Sequence, residues 1–411
     1  MSKPLARILL PSRFQVITSP QNKVVQRLER LRRSKAAREE EGHVVVQGIK
    51  TLQELGSKGH HCVRTIGVTY DKEKGPIRSP ALDVVTAVQR EEEEEEEDED
   101  RKQLSRGSLK EQGSGVRGKA FRADQYVAVS RKLTTRILGT DSPTAEHEVW
   151  AEVAIPDRSA LFSTAAHVPI ASTSKDEKSD SSIIEKLLVF DQVSDPGNMG
   201  LMIRSAMAFS WNAGWQTPGT VDPFNDKVVR ASRALCLDFP MKVGGRWTEL
   251  DVFLKSREIV PLVADMVPGW ISQEEGRGER SSSTTSMAID SHRLVWWNWP
   301  SSLSRGKAPE KIALIMSSEH HGVDGRDGVG EGSDEKRREK DEDRAAKNRL
   351  LARAIRVSIP MNPAVESMNV AAAATAMMWE LNRVLDSQVK KGTSSSTREG
   401  DLDLQIFDKD A

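Results

Sequence analysis

The stretch from Val357 to Leu385 constrains most strongly what this chain can fold into. Val357 to Ile359 is a short β-prone run stopped by Pro360, since proline cannot donate to a strand ladder. After a polar loop, Val370, Ala373, Ala374, Met377, Leu381 and Val384 recur at helical spacing and form one apolar stripe. A strand, a polar loop and an amphipathic helix therefore follow one another, with Glu366, Ser367, Met368 and Asn369 gathered where the helix begins. A helix N-terminus has unpaired N–H groups and a partial positive charge, which suit a polar ligand. On the residues alone, the simpler reading is that Ser367 or Asn369 caps the helix.

Two further segments change that balance. Leu187 to Phe190 is an apolar strand candidate that runs into Asp191-Gln-Val-Ser-Asp-Pro-Gly-Asn-Met-Gly200 before a helical pattern carrying Arg204. Ile312 to Met316 is another buried-strand run, followed by Ser317-Ser-Glu-His-His-Gly322. Asn-x-Gly-x-x-x-Arg after a strand, then strand-x-Ser-Glu-x-x-Gly, then Ile-Pro-Met with Ser-x-Asn, in that order, resembles the three motifs of the SpoU/TrmH family in the SPOUT superfamily of RNA methyltransferases. The resemblance covers roughly residues 17 to 386 outside the insertions described below, and is sharpest at 187–211, 312–323 and 357–381.

Length and composition fit that view without requiring it. A chain of 411 residues with 37% hydrophobic content can build two domains with real cores. Cys62 and Cys236 lie far apart in sequence and support neither a disulfide framework nor a metal site, which predicts a reducing compartment. No apolar run approaches the length of a membrane span. The formal charge of -1 conceals a basic body: residues 91–100 are all acidic, and without them 60 basic face 51 acidic residues.

The expected fold class is α/β: a small α/β substrate-binding domain, then a C-terminal SPOUT trefoil-knot domain with a parallel sheet. Residues 1–16 read as a targeting or disordered segment, because the chain has no acid before Glu29 and transit sequences are basic and acid-poor. Residues 17–171 read as the RNA-binding domain. Its first helix, running to about Glu40, carries Arg27, Arg30 and Arg33, which form either an ordinary solvated face or a phosphate-binding surface. Within this domain, 89–119 is a low-complexity insertion too polar to order itself. Residues 172–182 read as the linker. The alternation of strands and helices over 183–386 predicts the parallel-sheet domain, with insertions at 273–290 and 322–348 and a disordered tail at 387–411. Trp296, Trp297 and Trp299 suggest base stacking, but tryptophans next to a proline more often serve packing.

The resemblance implies methyl transfer from S-adenosylmethionine to a ribose 2′-oxygen of RNA, in a homodimer. It implies a cofactor pocket lined by the backbone at Ser317, Ile359 and Met368, with Gly322 in the second motif. Arg204, Asn198, Glu319, Ser367 and Asn369 are the implied catalytic set. Arg204 is suited to clamp a phosphate or ribose; Asn198 orients the ribose or Arg204, or else caps the next helix. Glu319 would fix Arg204 or its loop, and Ser367 and Asn369 would hold the target nucleotide. Three positions depart from the family pattern. Ser317 replaces a common glycine, Ala234 replaces a helix glycine with only a packing adjustment expected, and Gln47 replaces an acid. His320 and His321 have no third ligand at sensible spacing, so no metal is expected.

A SPOUT relative that has lost catalysis and binds RNA in ribosome assembly is the competing reading, with Ser317 as its support. A nucleotide-binding oxidoreductase fails, because no G-x-G-x-x-G follows a strand. Ribosomal and transfer RNA enzymes share these motifs. The insertions and the acid-free start favour an organellar ribosomal RNA enzyme, mitochondrial or plastid, over a cytoplasmic or nuclear one.

Overall fold

A computed structural model of the chain describes residues 10–70, 79–104, 122–140, 148–163, 184–267, 293–301, 303, 308–317, 334–362, 364–393 and 404–407. The expected linker 172–182, the insertion 273–290, and Glu319, His320, His321 and Gly322 lie outside the described residues. The chain divides into two compact units, one of residues 1–156 with 224–237, the other of 157–223 with 238–411. The division thus falls at 156/157, ahead of the expected linker. Ser159–Phe162 belongs to the second unit because Phe162 packs against Trp215 and Phe253 there.

The first unit is a five-stranded sheet. Its strands are β1 (Phe14–Ile17), β2 (His43–Gln47), β3 (Val63–Thr69), β4 (Gln125–Val129) and β5 (Val149–Ala154), in the order β1-β4-β3-β5-β2. β1, β4 and β3 run parallel, whereas β5 is antiparallel to β3 and β2. β1 begins inside the expected 1–16 segment: Phe14 and Ile17 at its two ends are buried while Gln15 and Val16 between them are exposed, a pattern too short to stand out in sequence. Helices α1 (Lys23–Arg33) and α2 (Lys35–Glu41) replace the single predicted helix, because Ser34 turns extended and caps the second. α3 (Ile49–Lys58) follows β2. α4 (Ser79–Leu104) corrects the disordered reading of 89–104. Ala81, Val84, Val85 and Val88 bury one face of its start, and glutamate, a good helix former, carries the helix onward. Glu92 within the acidic run accepts hydrogen bonds from the backbone of Ser12 and Arg13 at 3.2 and 2.9 Å. α5 (Arg131–Leu138) packs with α1 over Trp150 and Val127.

The second unit is an eight-stranded sheet. Its strands are β6 (Lys186–Asp191), β7 (Ala213–Gln216), β8 (Met241–Lys242), β9 (Val260–Ala264), β10 (Val295–Trp297), β11 (Ile312–Ser317), β12 (Ile355–Ser358) and β13 (Gln405–Phe407). Their order is β13-β10-β12-β9-β11-β6-β7-β8, and every pairing is parallel except β10 with β12. β13 lies in the expected disordered tail; it orders by pairing with β10. Trp296 and Trp297 are 1% and 9% exposed, so packing wins over base stacking there. The helices are α6 (Pro196–Ala208), α8 (Trp247–Ser256), α9 (Asp334–Arg353) and α10 (Val370–Thr393), while α7 (Asp226–Ala231) belongs to the first unit.

α9 corrects the reading of 322–348 as an insertion. Ala346, Leu350 and Leu351 join Trp247, Leu250 and Phe253 of α8 in one core, and Asp343 accepts from Thr248 N at 2.9 Å, capping α8. Asp251 on α8 ties the two helices through Arg353 at 2.8 Å and also accepts from Lys255 at 2.7 Å. Burial alone would raise the Asp251 carboxyl, but the hydrogen bonds from Lys255 and Arg353 outweigh it and hold the group below its ordinary value. A depressed folded pKa gives stability that is present above the unfolded value of about 3.9 and is lost as pH falls through the folded one. Asp251→Asn is therefore expected to be less stable than wild type at pH 7, with the gap in urea unfolding closing as pH is lowered toward 3.

At Ala234 the difference from expectation is one of backbone rather than packing. Arg233 and Ala234 both adopt positive φ, 55° and 60°, which a glycine would take without steric cost.

Candidate active site

The site forms where β9, β11 and β12 end and α10 begins. In an open α/β sheet these strand ends are where ligands bind. A cavity of 180 Å³ is lined there by Ala264, Asp265 and Met266 after β9, Met316 and Ser317 of β11, and Ser358, Ile359 and Met361 after β12. Ser367, Met368, Val370, Ala373 and Met377 close it from the loop and first turns of α10. Three predicted cofactor residues, Ser317, Ile359 and Met368, thus share one cavity with the predicted Ser367.

The first and third motifs meet directly. Asn369 Nδ2 donates to Asn198 Oδ1 at 3.0 Å, while Asn369 Oδ1 accepts from the N–H groups of Ala371 and Ala372 at 3.0 and 3.2 Å. Asn369 is therefore both the cap of α10 and its link to α6. Asn198 is not a cap: that position belongs to Asp195, whose Oδ1 accepts from Asn198 N at 2.7 Å. Two further bonds pin the same helices along their length, Ser205 Oγ with Thr375 Oγ1 at 2.8 Å and Asn382 Nδ2 to Phe209 O at 2.6 Å. Arg204 stands exposed on α6, less than two turns beyond Asn198, with no hydrogen bond or ion pair among the described residues.

Ser317 is accommodated by a network absent from the sequence reading. Its hydroxyl donates to Asp191 Oδ2 at 2.9 Å, and Lys347 Nζ donates to the same oxygen at 3.1 Å. Thr217 Oγ1 donates to Asp191 Oδ1 at 3.1 Å. Asp191 is 1% and Lys347 5% exposed, so the pair is sealed from water, and Lys347 also lies 5.1 Å from the Trp247 ring centroid. The serine keeps negative φ, so it fits where the family has glycine. Asp265, whose carboxylate pairs with Arg356 at 2.6 Å, was also missed; an acid directly after a buried parallel strand was the available signal.

The α1 arginines fare differently. Arg27 donates to the buried Glu152 at 2.8 Å, a carboxylate that Arg64 and Thr65 also hold, so Arg27 is a structural residue rather than a free RNA contact. A guanidinium spent on an interior carboxylate cannot also reach a phosphate at full strength. Arg30 pairs with Glu40 and Glu41, and Arg33 is exposed.

No model of a known protein family matches the chain. It is 23% identical over 270 residues to the mitochondrial rRNA methyltransferase 3 of Xenopus tropicalis, an alignment covering 59% of each protein. It is 25% identical over 197 residues to the 23S rRNA (guanosine(2553)-2′-O)-methyltransferase RlmP of Bacillus subtilis, covering 48% of this chain and 57% of that one. The chain thus spans somewhat under two thirds of the length of these curated relatives. Among solved structures, the SpoU methyltransferase AviRb of Streptomyces viridochromogenes in complex with AdoMet superposes with a TM-score of 0.52 at 19% identity, covering 88% of this chain and 98% of AviRb. An RNA 2′-O ribose methyltransferase superposes with a TM-score of 0.50 at 17% identity, covering 90% of this chain and 98% of that one. These two likenesses carry the fold, a small α/β unit and a larger mostly parallel sheet. With the three motifs in order and the Asn198–Asn369 bond joining the first to the third, the chain resembles the SpoU/TrmH methyltransferases in fold and in motif arrangement.

Proposed function

We propose that the chain is an S-adenosylmethionine-dependent RNA 2′-O-ribose methyltransferase acting on ribosomal RNA, as a homodimer and in an organelle. The observation that carries this reading is the Asn198–Asn369 bond beside the cavity that Ser317, Ile359, Ser367 and Met368 line. The named activities of the frog and Bacillus relatives support the substrate class, and the mitochondrial name of the first supports the compartment. The exposed Leu201 on α6 and Trp379 on α10, 47% and 61% accessible, give the second copy an apolar face to cover. The segment from Ile355 to Thr393 is the part expected to be threaded in the trefoil knot.

The cavity residues fit the cofactor chemically. Met316, Ile359, Met368, Val370, Ala373 and Met377 offer an apolar wall for a purine face, and the strand ends at Ser317 and Ile359 offer peptide groups for its edge. S-adenosylmethionine supplies an activated methyl group, so the chain has mainly to align the ribose oxygen with it and to handle one proton. Asn369 is held rigid by its cap bonds and by Asn198, which fixes the side-chain geometry around the target nucleotide. Arg204 clamps the phosphate or ribose with a guanidinium that no described residue has neutralised. Glu319 of the second motif orients Arg204 in this scheme, and Gly322 completes the cofactor loop. No metal ion enters the scheme.

The test is transfer from radiolabelled S-adenosylmethionine to total and organellar RNA. Label recovered in an alkali-resistant dinucleotide is the expected result, and mapping that dinucleotide names the substrate. Label recovered only in alkali-labile nucleotides would replace ribose methylation by base methylation. Against the reading of the chain as an inactive RNA-binding relative stands the Ser317 hydroxyl, which Asp191 draws into a hydrogen bond.

A further inference from the structure

We infer that Asp265 recognises the ribose diol of the cofactor, through a carboxylate that Arg356 and Met266 hold in place. This rests on the methyltransferase reading and assigns a binding residue outside the three motifs. Asp265 directly follows β9, and it is the only ionisable side chain among the described residues that line the 180 Å³ cavity.

Asp265 is tied at three points. Its backbone N–H donates to Val357 O at 3.0 Å, which joins the residue to β12. Arg356, on that same strand, donates to Oδ2 at 2.6 Å, and the Met266 N–H donates to Oδ1 at 2.8 Å. A carboxylate has about four lone-pair sites, two on each oxygen. Each oxygen therefore keeps a site after these bonds, and the side chain is 39% exposed, so a ligand can reach both. Two acceptors side by side and already oriented suit two vicinal hydroxyl donors, and little further ordering is needed when they arrive. In nucleotide-binding α/β sheets an acid likewise accepts from a ribose hydroxyl.

The rest of the wall leaves this role to Asp265. Met316, Ile359, Val370 and Met377 are apolar and suit the purine, and the Ser317 hydroxyl is already directed at Asp191. The competing partner for a carboxylate is the positive charge of the methionine half, at its ammonium or its sulfonium. Arg356 opposes that choice. The ion pair carries no net charge, so a cation brought to Asp265 also meets the guanidinium, whereas a hydroxyl needs only a lone pair.

The test is calorimetric titration of the full-length chain, as wild type, D265N and D265A, with S-adenosylmethionine, S-adenosylhomocysteine and the 2′-deoxy and 3′-deoxy analogues of the latter. D265A is expected to bind S-adenosylhomocysteine about 10–100-fold more weakly, the loss of hydrogen bonds to a charged acceptor. Deleting either hydroxyl from the ligand is expected to weaken its binding to wild type severalfold or more and its binding to D265A hardly at all, because the partner is already gone. D265N keeps the shape and one acceptor; it is expected to fall between the two and reads the same coupling if D265A unfolds. Equal hydroxyl penalties in wild type and in the variants overturn the assignment while leaving the methyltransferase reading intact. A D265A chain that loses affinity for S-adenosylmethionine but none for S-adenosylhomocysteine also overturns it, and moves Asp265 to the sulfonium. A wild-type chain that binds neither ligand overturns both readings.

Discussion

Replacing Arg204 by alanine is expected to lower methyl transfer to RNA by about 10²–10³-fold with S-adenosylmethionine affinity unchanged. The size follows from what the side chain is placed to do. Arg204 is exposed on α6 with no hydrogen bond or ion pair among the described residues, and in the proposed reaction its guanidinium meets the RNA; removing one preorganised donor from a reacting centre costs about 2.7–4 kcal/mol. The cofactor should not notice. The cavity at the ends of β9, β11 and β12 is lined by residues other than Arg204, so calorimetric binding of S-adenosylmethionine should match wild type. Lysine at the same position retains the charge but not the planar fork, and is expected to recover only part of the lost rate. An Arg204→Ala chain that transfers methyl groups at the wild-type rate would remove the residue from the reaction. One that loses cofactor binding and transfer together would recast it as a structural residue.

The parts of the fold that were legible in sequence share a physical cause. β9, β11 and β6 are continuous apolar runs, which a buried parallel strand needs because both of its faces are covered, and each ends in a polar loop. The candidate site residues Asn198, Ser317, Ser367 and Asn369, which the motif resemblance implied, lie at a strand end, in the loop before α10 or near a helix start, so the polar loops that follow the apolar runs are where they were sought. Elements that escaped notice depend on partners remote in sequence. β10 and β13 are three residues each and are defined by pairing with one another across more than a hundred residues. α9 buries Ala346, Leu350 and Leu351 among many charges, so its composition resembles that of a solvated insertion. The acidic tract was misread because composition reports what a segment cannot bury, whereas α4 needs only its first turns to be anchored. Arg27 illustrates the reverse error. A basic helix face looks the same in sequence whether its partner is a phosphate or Glu152, since the glutamate is supplied by β5, far along the chain.

Lys347 was the least legible residue, because buried lysines are rare and nothing local announces one. Lys347→Met is expected to destabilise the second unit by about 3–5 kcal/mol, the cost of leaving a buried carboxylate without its cation. Asp191 is the carboxylate in question. It ends β6, touches Ser317 at the end of β11 and Thr217 after β7, and so couples the strand end that opens the first motif to the strand end that walls the candidate cavity. An unpaired charge at that junction must either draw water in or move, and either response displaces Ser317. Cofactor affinity is therefore expected to fall along with stability. The double variant Asp191→Asn/Lys347→Met separates charge from packing: with no buried ion left, most of the lost stability should return, as replacing a whole buried pair is often neutral. Urea unfolding of the three chains, with calorimetric titration of S-adenosylmethionine into each, reads both quantities. If Lys347→Met unfolds at wild-type urea concentrations, the pair contributes nothing and Ser317 is held by packing alone. If stability returns in the double variant but cofactor affinity does not, the ionised carboxylate itself is what sets the geometry of the cavity wall.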